Sequence, residues 1–174
     1  MLTLKGTYCY LRALEPEDLD FLYQIENDEN VWEVSETITP YSKFILKQYL
    51  ENSHRDIFDV KQLRLSIVTT EENLLCGFID IFDFDAKNKR AGVGIIVVDT
   101  YRKKGIGAES LSLVLKYCFK KLNLHQVYAN ISEDNEASIR LFEKLGFKLT
   151  GLKADWVLVD GAYKNELLFQ KIKA

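Results

Sequence analysis

The chain has 174 residues, of which 47% are hydrophobic, 12% aromatic and 28% charged, and its formal net charge is −3. This length and apolar content allow one buried core and exclude an intrinsically disordered protein. The acidic balance excludes a general nucleic-acid binder, for which a basic surface is expected.

The cysteines and histidines show no spacing typical of a metal site or a disulfide framework. Cys9, Cys76 and Cys118 form no Cys-x-x-Cys pair, and His54 and His125 lie far apart. We predict three buried thiols in a reducing compartment and no bound metal. There is no apolar leader at the N-terminus, and no apolar run reaches the ~20 residues that span a bilayer, so the sequence predicts a cytoplasmic protein.

The first third of the chain predicts a strand followed by two helices. Glu15-Pro16-Glu17-Asp18 is typical of a helix start, with proline early and acids in the first turn, and this helix is expected to end near Asn27. Residues 28–40 are rich in acids and end in a proline, which predicts a loop. A second amphipathic helix is expected over about residues 41–52. Its predicted inward-facing side chains are Phe44, Ile45, Tyr49 and Leu50.

The remainder alternates strand patterns with turns and two more helices. Strands are predicted at residues 63–67, 76–84, 90–98, 126–131, 148–159 and 162–170, and helices at about 108–119 and 136–145. The continuous Ile95-Ile96-Val97-Val98 run predicts a strand centre covered on both faces. The order β-α-α-β-β-β-α-β-α-β-β predicts one α/β layered domain over residues 1–174, with a mixed sheet and helices on both faces.

A basic glycine turn joins the fourth strand to the next helix. It reads Tyr-Arg-Lys-Lys-Gly-Ile-Gly at residues 101–107. The helix start leaves backbone N–H groups unpaired, and Gly105 and Gly107 allow close approach of a ligand, so the turn predicts a site for a phosphate group. The order of residues is not that of a Walker loop, and Ser110 stands where a dinucleotide fingerprint needs a third glycine. On this string alone an ordinary helix cap remains the alternative.

Two motifs together resemble the GCN5-related N-acetyltransferases. The first is Arg102-x-x-Gly105-x-Gly107, and the second, within residues 135–147, resembles the family's Asn-x-x-Ser/Ala-x-x-x-Tyr/Phe-x-x-x-Gly-Phe helix. Residues 11–15, 122–125 and 156–166 more softly resemble the branch of ribosomal-protein N-terminal and spermidine/diamine N-acetyltransferases.

The resemblance implies a mostly antiparallel sheet of six to seven strands, acetyl-coenzyme A (acetyl-CoA) as donor, no metal and a primary amine as acceptor. The pyrophosphate would lie at the glycine turn, and the pantetheine amides would pair with the backbone at Ile96 and Val98, where the fourth and fifth strands part. Asn135 and Ser138 would face that arm, although Asn135 can equally be a plain helix N-cap. The donor-binding residues so implied are Ile96, Val97, Val98, Arg102, Lys103, Lys104, Gly105, Ile106, Gly107, Asn135, Ser138 and Phe142.

The sequence departs from the family at two catalytic positions. Phe142 stands at the position of the family's usual general acid, a tyrosine, and Gly92 stands at the position of the glutamate common early in the fourth strand. Three explanations stay open. Water or another residue protonates the leaving thiolate, or it leaves unprotonated; Tyr128 or Tyr163 reaches the sulfur; or the protein binds acetyl-CoA and catalyses poorly.

Acidic residues are the candidates for binding and deprotonating the amine. We predict Asp80, then Asp83, on the third strand; because three residues separate them they should point to opposite faces. A backbone N–H near Ile96 is the implied oxyanion donor. Glu33 and Glu36 in the 28–40 segment are second candidates, and Trp32 and Trp156 are candidates for lining the acceptor pocket. His125 is expected to cap a turn.

These acids favour a cationic acceptor such as a polyamine, with solvent-exposed acids as the alternative. No nucleic-acid or membrane partner is expected, and pairing of edge strands would give a homo-oligomer. Besides an N-acetyltransferase, the sequence leaves open a non-catalytic coenzyme-A-binding module and, less favoured, a nucleotide-phosphate enzyme.

Overall fold

A single seven-stranded sheet organises the computed structural model, which describes residues 4–35 and 37–174. The strands are β1 (Cys9–Ala13), β2 (Leu63–Thr69), β3 (Leu75–Asp85), β4 (Arg90–Val97), β5 (Gln126–Ser132), β6 (Lys148–Val159) and β7 (Ala162–Ile172). Their order across the sheet is β1-β2-β3-β4-β5-β7-β6. Neighbouring strands are antiparallel except β4 and β5, which are parallel, so the predicted mixed, mostly antiparallel sheet is confirmed.

Helices cover both faces of this sheet, as predicted. They are α1 (Leu19–Glu26), α2 (Glu29–Ser35), α3 (Lys43–Glu51), α4 (Ile57–Val60), α5 (Ile106–Lys120) and α6 (Glu136–Lys144), with 3₁₀ turns at Pro16–Asp18 and Asp99–Tyr101. On one face, α5 and α6 pack against the odd-numbered side chains of β3, such as Ile79 and Ile81. On the other face, α1 and α3 pack around Phe78.

Three predictions about the first half of the chain were wrong. The segment 28–40 is not all loop, because it contains α2, whose start is stabilised by the Asp28 carboxylate accepting the Asn30 N–H at 3.0 Å. The inward face of α3 is set by Leu46 and Leu50, whereas two predicted inward residues are exposed: Phe44 and Ile45. A short helix that the sequence did not indicate, α4, precedes β2.

The β4 run 95–98 is half-buried rather than covered on both faces. The reason lies in the neighbouring strand. β4 and β5 pair only over residues 90–92 and 126–128, and beyond Gly92 and Tyr128 the register ends. This separation leaves one edge of β4 uncovered and creates the cleft in which the candidate site lies.

The predictions for the three cysteines and for two glycine turns are confirmed. Cys9, Cys76 and Cys118 are fully buried free thiols. Gly146 adopts the left-handed conformation after α6 (φ 83°), and Gly161 does so in the β6–β7 hairpin (φ 80°). Within residues 4–35 and 37–174, no helix combines the length and the apolar character needed to cross a membrane.

Candidate active site

The parting of β4 and β5 opens a cavity of about 330 Å³ that passes between the two strands. Its walls come from β4, β5, the β5–α6 turn and α6, and also from α2, β6 and β7. From the α6 side it is lined by Asn135, Ser138 and Phe142, and from the opposite side by Glu33 and Val34 of α2. The cavity therefore joins the α6 motif to the segment predicted to border the acceptor.

The basic turn has the geometry of an anion site at a helix start. Lys103 and Gly105 both adopt left-handed backbone conformations, with φ of 60° and 81°. The Glu109 N–H donates to the Gly105 carbonyl at 3.0 Å, so the N–H groups ahead of it are those that a helix leaves without intrahelical partners. A Cβ built on Gly107 would lie 3.7 Å from Leu141, in ordinary contact, so the position has room for a small group.

The charged side chains of this turn have different partners. The Arg102 guanidinium donates through Nε to the Val97 carbonyl at 2.9 Å and forms an ion pair with Asp99 at 2.9 Å. Lys104 lies over the Tyr101 ring, 5.1 Å from its centroid. Ile106 is buried in the core and offers a ligand only its backbone. Arg102 therefore stabilises the turn, and its positive charge remains next to the turn.

Glu109 holds the α5 N-terminus against the start of β1. Its carboxylate accepts the backbone N–H groups of Thr7, Tyr8 and Cys9 at 2.7, 2.7 and 2.8 Å. Burial works to raise the pKa of this carboxyl, but the three backbone donors outweigh it, and the pKa is lowered. This contact fixes the position of the glycine turn relative to the sheet.

The backbone of β4 presents alternate residues to the open edge. The Val98 N–H donates to the Cys76 carbonyl of β3 at 2.9 Å, so it is not free for a ligand, contrary to the prediction for Val98. Consecutive strand residues direct their peptide groups to opposite edges, so Ile96, like Val98, faces β3. Val97 and Ile95 then face β5, and the Val97 carbonyl that receives Arg102 is consistent with this.

The second motif forms the start and inner face of α6. The Asn135 side chain accepts the Ser138 N–H at 3.2 Å, so Asn135 is the helix N-cap and also lines the cavity. Phe142 is 3% exposed and packs edge-to-face on Phe147, with ring centroids 4.9 Å apart. Phenylalanine thus places an apolar ring where a tyrosine hydroxyl would face the cavity.

An aromatic ring takes the space of a side chain at Gly92. A Cβ at that position would lie 2.2 Å from the Phe82 ring. Phe82 in turn packs edge-to-face on Tyr128, with centroids 6.0 Å apart. A glutamate at position 92 would require this aromatic pair to move. At both positions that depart from the family pattern, an aromatic hydrocarbon ring therefore stands where the family has a polar side chain.

Asp80 belongs to an ion-pair network under α1 and α3. Its carboxylate accepts from Arg64 twice, at 2.7 and 3.1 Å, and Arg64 also pairs with Glu26 of α1 at 2.5 Å. Burial works to lower the pKa of Arg64, but the charge and hydrogen bonds of Asp80, together with the charge of Glu26, outweigh it and the pKa is raised. Among the described residues that line the cavity, Asp80 does not appear.

Asp83 and the two tyrosine candidates for the acid lie away from the cavity walls. Asp83, at a β-bulge with φ of 48°, accepts from the Tyr128 hydroxyl at 3.4 Å. Burial, followed by the charge of Asp83, raises the pKa of Tyr128. Tyr163 is 62% exposed on the β6–β7 hairpin. Neither tyrosine is among the described residues that line the cavity.

The residues predicted in the 28–40 segment have separate roles. The Trp32 indole N–H donates to the Glu26 carbonyl at 2.8 Å, which anchors α2 to the end of α1. Glu33 lines the cavity and pairs with Lys164 of β7 at 2.7 Å. Trp156 is exposed on β6. Glu36 lies outside the described residues.

Several lining residues were not found from the sequence. Glu166 of β7 is 8% exposed and pairs with Lys153 of β6 at 2.8 Å, and Lys153 also reaches the Asn130 side chain at 3.2 Å. Asp134 pairs with Lys164 at 2.6 Å. Strand alternation places Asn130 and Ser132 on one face of β5, but only the sheet order shows that this face adjoins β6, β7 and α2.

Metal binding finds no support in the arrangement of side chains. Across residues 4–35 and 37–174, no group of three or more histidine, cysteine, aspartate or glutamate side chains could hold an ion.

Comparisons with known proteins agree with this geometry. The chain is 29% identical over 160 residues to spermidine N(1)-acetyltransferase of Escherichia coli (strain K12), covering 90% of this chain and 82% of that protein. It is 30% identical over 164 residues to an uncharacterized N-acetyltransferase from the SPbeta prophage of Bacillus subtilis (strain 168), covering 94% and 89%.

The fold matches solved structures over nearly its whole length. The crystal structure of spermidine N-acetyltransferase from Vibrio cholerae in complex with CoA and spermine superposes with a TM-score of 0.84 at 25% identity, covering 96% of both chains. The profile of the acetyltransferase (GNAT) domain family matches residues 9–148. The chain belongs to this family and is an N-acetyltransferase.

Proposed function

We propose that the protein transfers an acetyl group from acetyl-CoA to a primary amine of a cationic acceptor, by direct attack within a ternary complex. One observation carries the proposal. A single cavity between β4 and β5 has the Asn135–Phe142 face of α6 on one side and three carboxylates, Glu33, Asp134 and Glu166, in its other walls.

The donor half of the site is built mainly from backbone. The N–H groups of residues 103–107, with Lys103 and Lys104 beside them, suit the pyrophosphate of acetyl-CoA. The pantetheine arm would then follow the open edge of β4, where Val97 and Ile95 direct their peptide groups, with Ser138 and Asn135 across the cleft. Ile96 and Val98 contribute side chains to the packing under α1 and α3.

Attack on the thioester carbonyl needs a donor for the developing oxyanion. A backbone N–H on the open edge of β4 supplies it without reorganisation, and one such donor is worth about 10²–10³ in rate. The alternation of peptide groups along β4 favours Val97 or Ile95 for this role rather than the predicted Ile96.

The leaving sulfur has a hydrocarbon neighbour, Phe142, instead of an acid. A thiol whose pKa is about 8.5 is a good enough leaving group to depart as the thiolate. We therefore propose that no protein side chain protonates it and that water does so after the acetyl transfer.

The acceptor half is acidic. Glu33, Asp134 and Glu166 line the cavity, and their partners Lys153 and Lys164 leave the group with a net charge of −1. An alkylamine is protonated at neutral pH, since its pKa is about 10, and must lose that proton before attack. These carboxylates attract the cation and can take up its proton through water. Asp80 is less suited to this role because Arg64 already holds both its oxygens.

The test is a thiol-release assay with acetyl-CoA and a panel of acceptors. We expect turnover with butane-1,4-diamine and longer polyamines and weak turnover with glycine, whose carboxylate is repelled. Equal rates with glycine would contradict the cationic assignment. Tight acetyl-CoA binding with no turnover on any amine would instead support a coenzyme-A-binding module, which Phe142 and the Phe82 ring over Gly92 would explain.

A further inference from the structure

Lys164 pairs with two carboxylates that line the cavity and so joins three parts of the fold. Its ammonium on β7 lies 2.7 Å from the Glu33 carboxylate of α2 and 2.6 Å from the Asp134 carboxylate of the β5–α6 turn. Asp134 is held in turn by the Ser132 hydroxyl at 2.7 Å. The Lys164 side chain is 25% exposed and that of Asp134 is 53% exposed, so these ion pairs are partly open to solvent.

Both carboxylates line the cavity, and they share a single ammonium. The trio therefore carries a net charge of −1 and can receive a second cation. The hydrogen bonds that the ammonium donates to Asp134, and then to Glu33, raise the pKa of Lys164, so the lysine stays charged throughout the neutral range. A substrate ammonium has the same charge and the same donors as the lysine head group.

We propose that Lys164 is a specificity-determining residue whose ammonium occupies the place of the non-reacting ammonium of a diamine acceptor, which must displace it from Glu33 and Asp134. This inference rests on the proposed function. The reacting nitrogen has to be neutral, so only an acceptor with a second nitrogen keeps a charge to exchange with Lys164. Lys164 thus lowers the apparent affinity for diamines more than that for monoamines.

The packing of α2 gives the exchange room to occur. None of the α2 side chains is buried. Besides the Glu33–Lys164 pair, α2 is tied to α1 by the Trp32 indole N–H at the Glu26 carbonyl. Glu33 can therefore change partner while Trp32 keeps the helix in place.

The experiment compares Lys164→Met with wild type on butane-1,4-diamine and on butylamine. Because partly exposed ion pairs contribute modestly, we expect the KM for the diamine to fall about two- to fivefold with its kcat unchanged, and the KM for butylamine to fall less. Lys164→Arg keeps the charge and should behave as wild type. Lys43→Met, which breaks an exposed pair with Asp20 on α1, is the matched control.

Calorimetric titration of the diamine without acetyl-CoA gives a second readout, and Lys164→Met should tighten the Kd by the same factor. A diamine KM and Kd that rise, or that change in parallel with butylamine, would overturn the proposal and show that Lys164 only holds α2. If no amine is turned over, the proposed function fails, and the titration alone then decides this inference.

Discussion

The two halves of the cleft are built by different means. On the donor side, consecutive residues shape backbone for an anion: a left-handed turn at Gly105, the start of α5 and the Asn135 cap of α6. On the acceptor side, carboxylates far apart in sequence are positioned by lysines, as Glu33 is by Lys164. Under the proposed function, the difference teaches that donor binding depends on main-chain shape, whereas acceptor choice depends on a few exchangeable ion pairs.

The largest effect is expected at the donor turn, from Gly107→Glu. The new carboxylate would fill the approach to the helix start and repel the pyrophosphate, so acetyl-CoA affinity should fall at least 100-fold in calorimetry, with the diamine Kd unchanged. Gly107→Ala is the control, because its methyl group makes only an ordinary 3.7 Å contact with Leu141. Wild-type affinity in Gly107→Glu would show that this turn does not bind the donor.

Asp80→Asn tests whether the Asp80–Arg64 pair belongs to the acceptor side or to the scaffold. Removing one carboxylate leaves the largely buried Arg64 with Glu26 alone, so we expect a loss of about 2 kcal/mol in unfolding free energy. Turnover per folded molecule should stay within twofold. Asp59→Asn, at an exposed pair with Arg55, should change neither quantity. A tenfold slower enzyme of normal stability would restore Asp80 as the base.

Phe142→Tyr asks whether the departing thiolate lacks an acid. The ring lines the cavity, so a hydroxyl there could donate to the sulfur, and we expect kcat to rise about tenfold, within the range for general acids. The pH dependence of kcat should gain a limb at high pH, where the tyrosine ionises. An unchanged kcat with an unchanged pH profile would mean that thiolate departure does not limit the rate.

The smallest effect is expected from Glu109→Gln, which weakens the support of the donor turn. The folded-state pKa of Glu109 is lowered, so its stabilisation is complete above the usual glutamate pKa of about 4.3 and is lost as pH falls through the folded value. At neutral pH we expect a loss of about 1 kcal/mol and a melting temperature about 3 °C lower. The two proteins should converge once the pH is below the folded-state pKa of Glu109; a constant gap would exclude ionisation as the cause.

The donor half of the cleft could be predicted from the sequence more fully than the acceptor half. The donor turn, the α6 motif and Phe142 lie within contiguous segments, and their backbone signals are local. α2 was missed because its acids and Trp32 were interpreted as loop residues, although Asp28 before Glu29 is a helix-start signal. The Glu33–Lys164 contact joins residues 131 positions apart, which no local pattern encodes.

Asp80 shows why catalytic residues are harder to assign. Its strand was predicted correctly, but the predicted separation of its face from that of Asp83 was wrong. A β-bulge at Asp83 interrupts the alternation, and Phe84 packs in the same core cluster as Ile79. Its partner Arg64 is set by the register between β2 and β3, in which Arg64 lies opposite Asp80. The sequence predicted a carboxylate near the acceptor, but the strand register pairs that carboxylate with Arg64.

The measurement that tests the central claim most directly is a two-substrate initial-rate study with acetyl-CoA and butane-1,4-diamine. Donor and acceptor approach one cavity from opposite sides, so both must be bound before the acetyl group moves. We expect reciprocal plots that intersect, as direct attack in a ternary complex requires. Parallel lines would contradict the account, because they would mean that the acetyl group passes through a covalent enzyme intermediate.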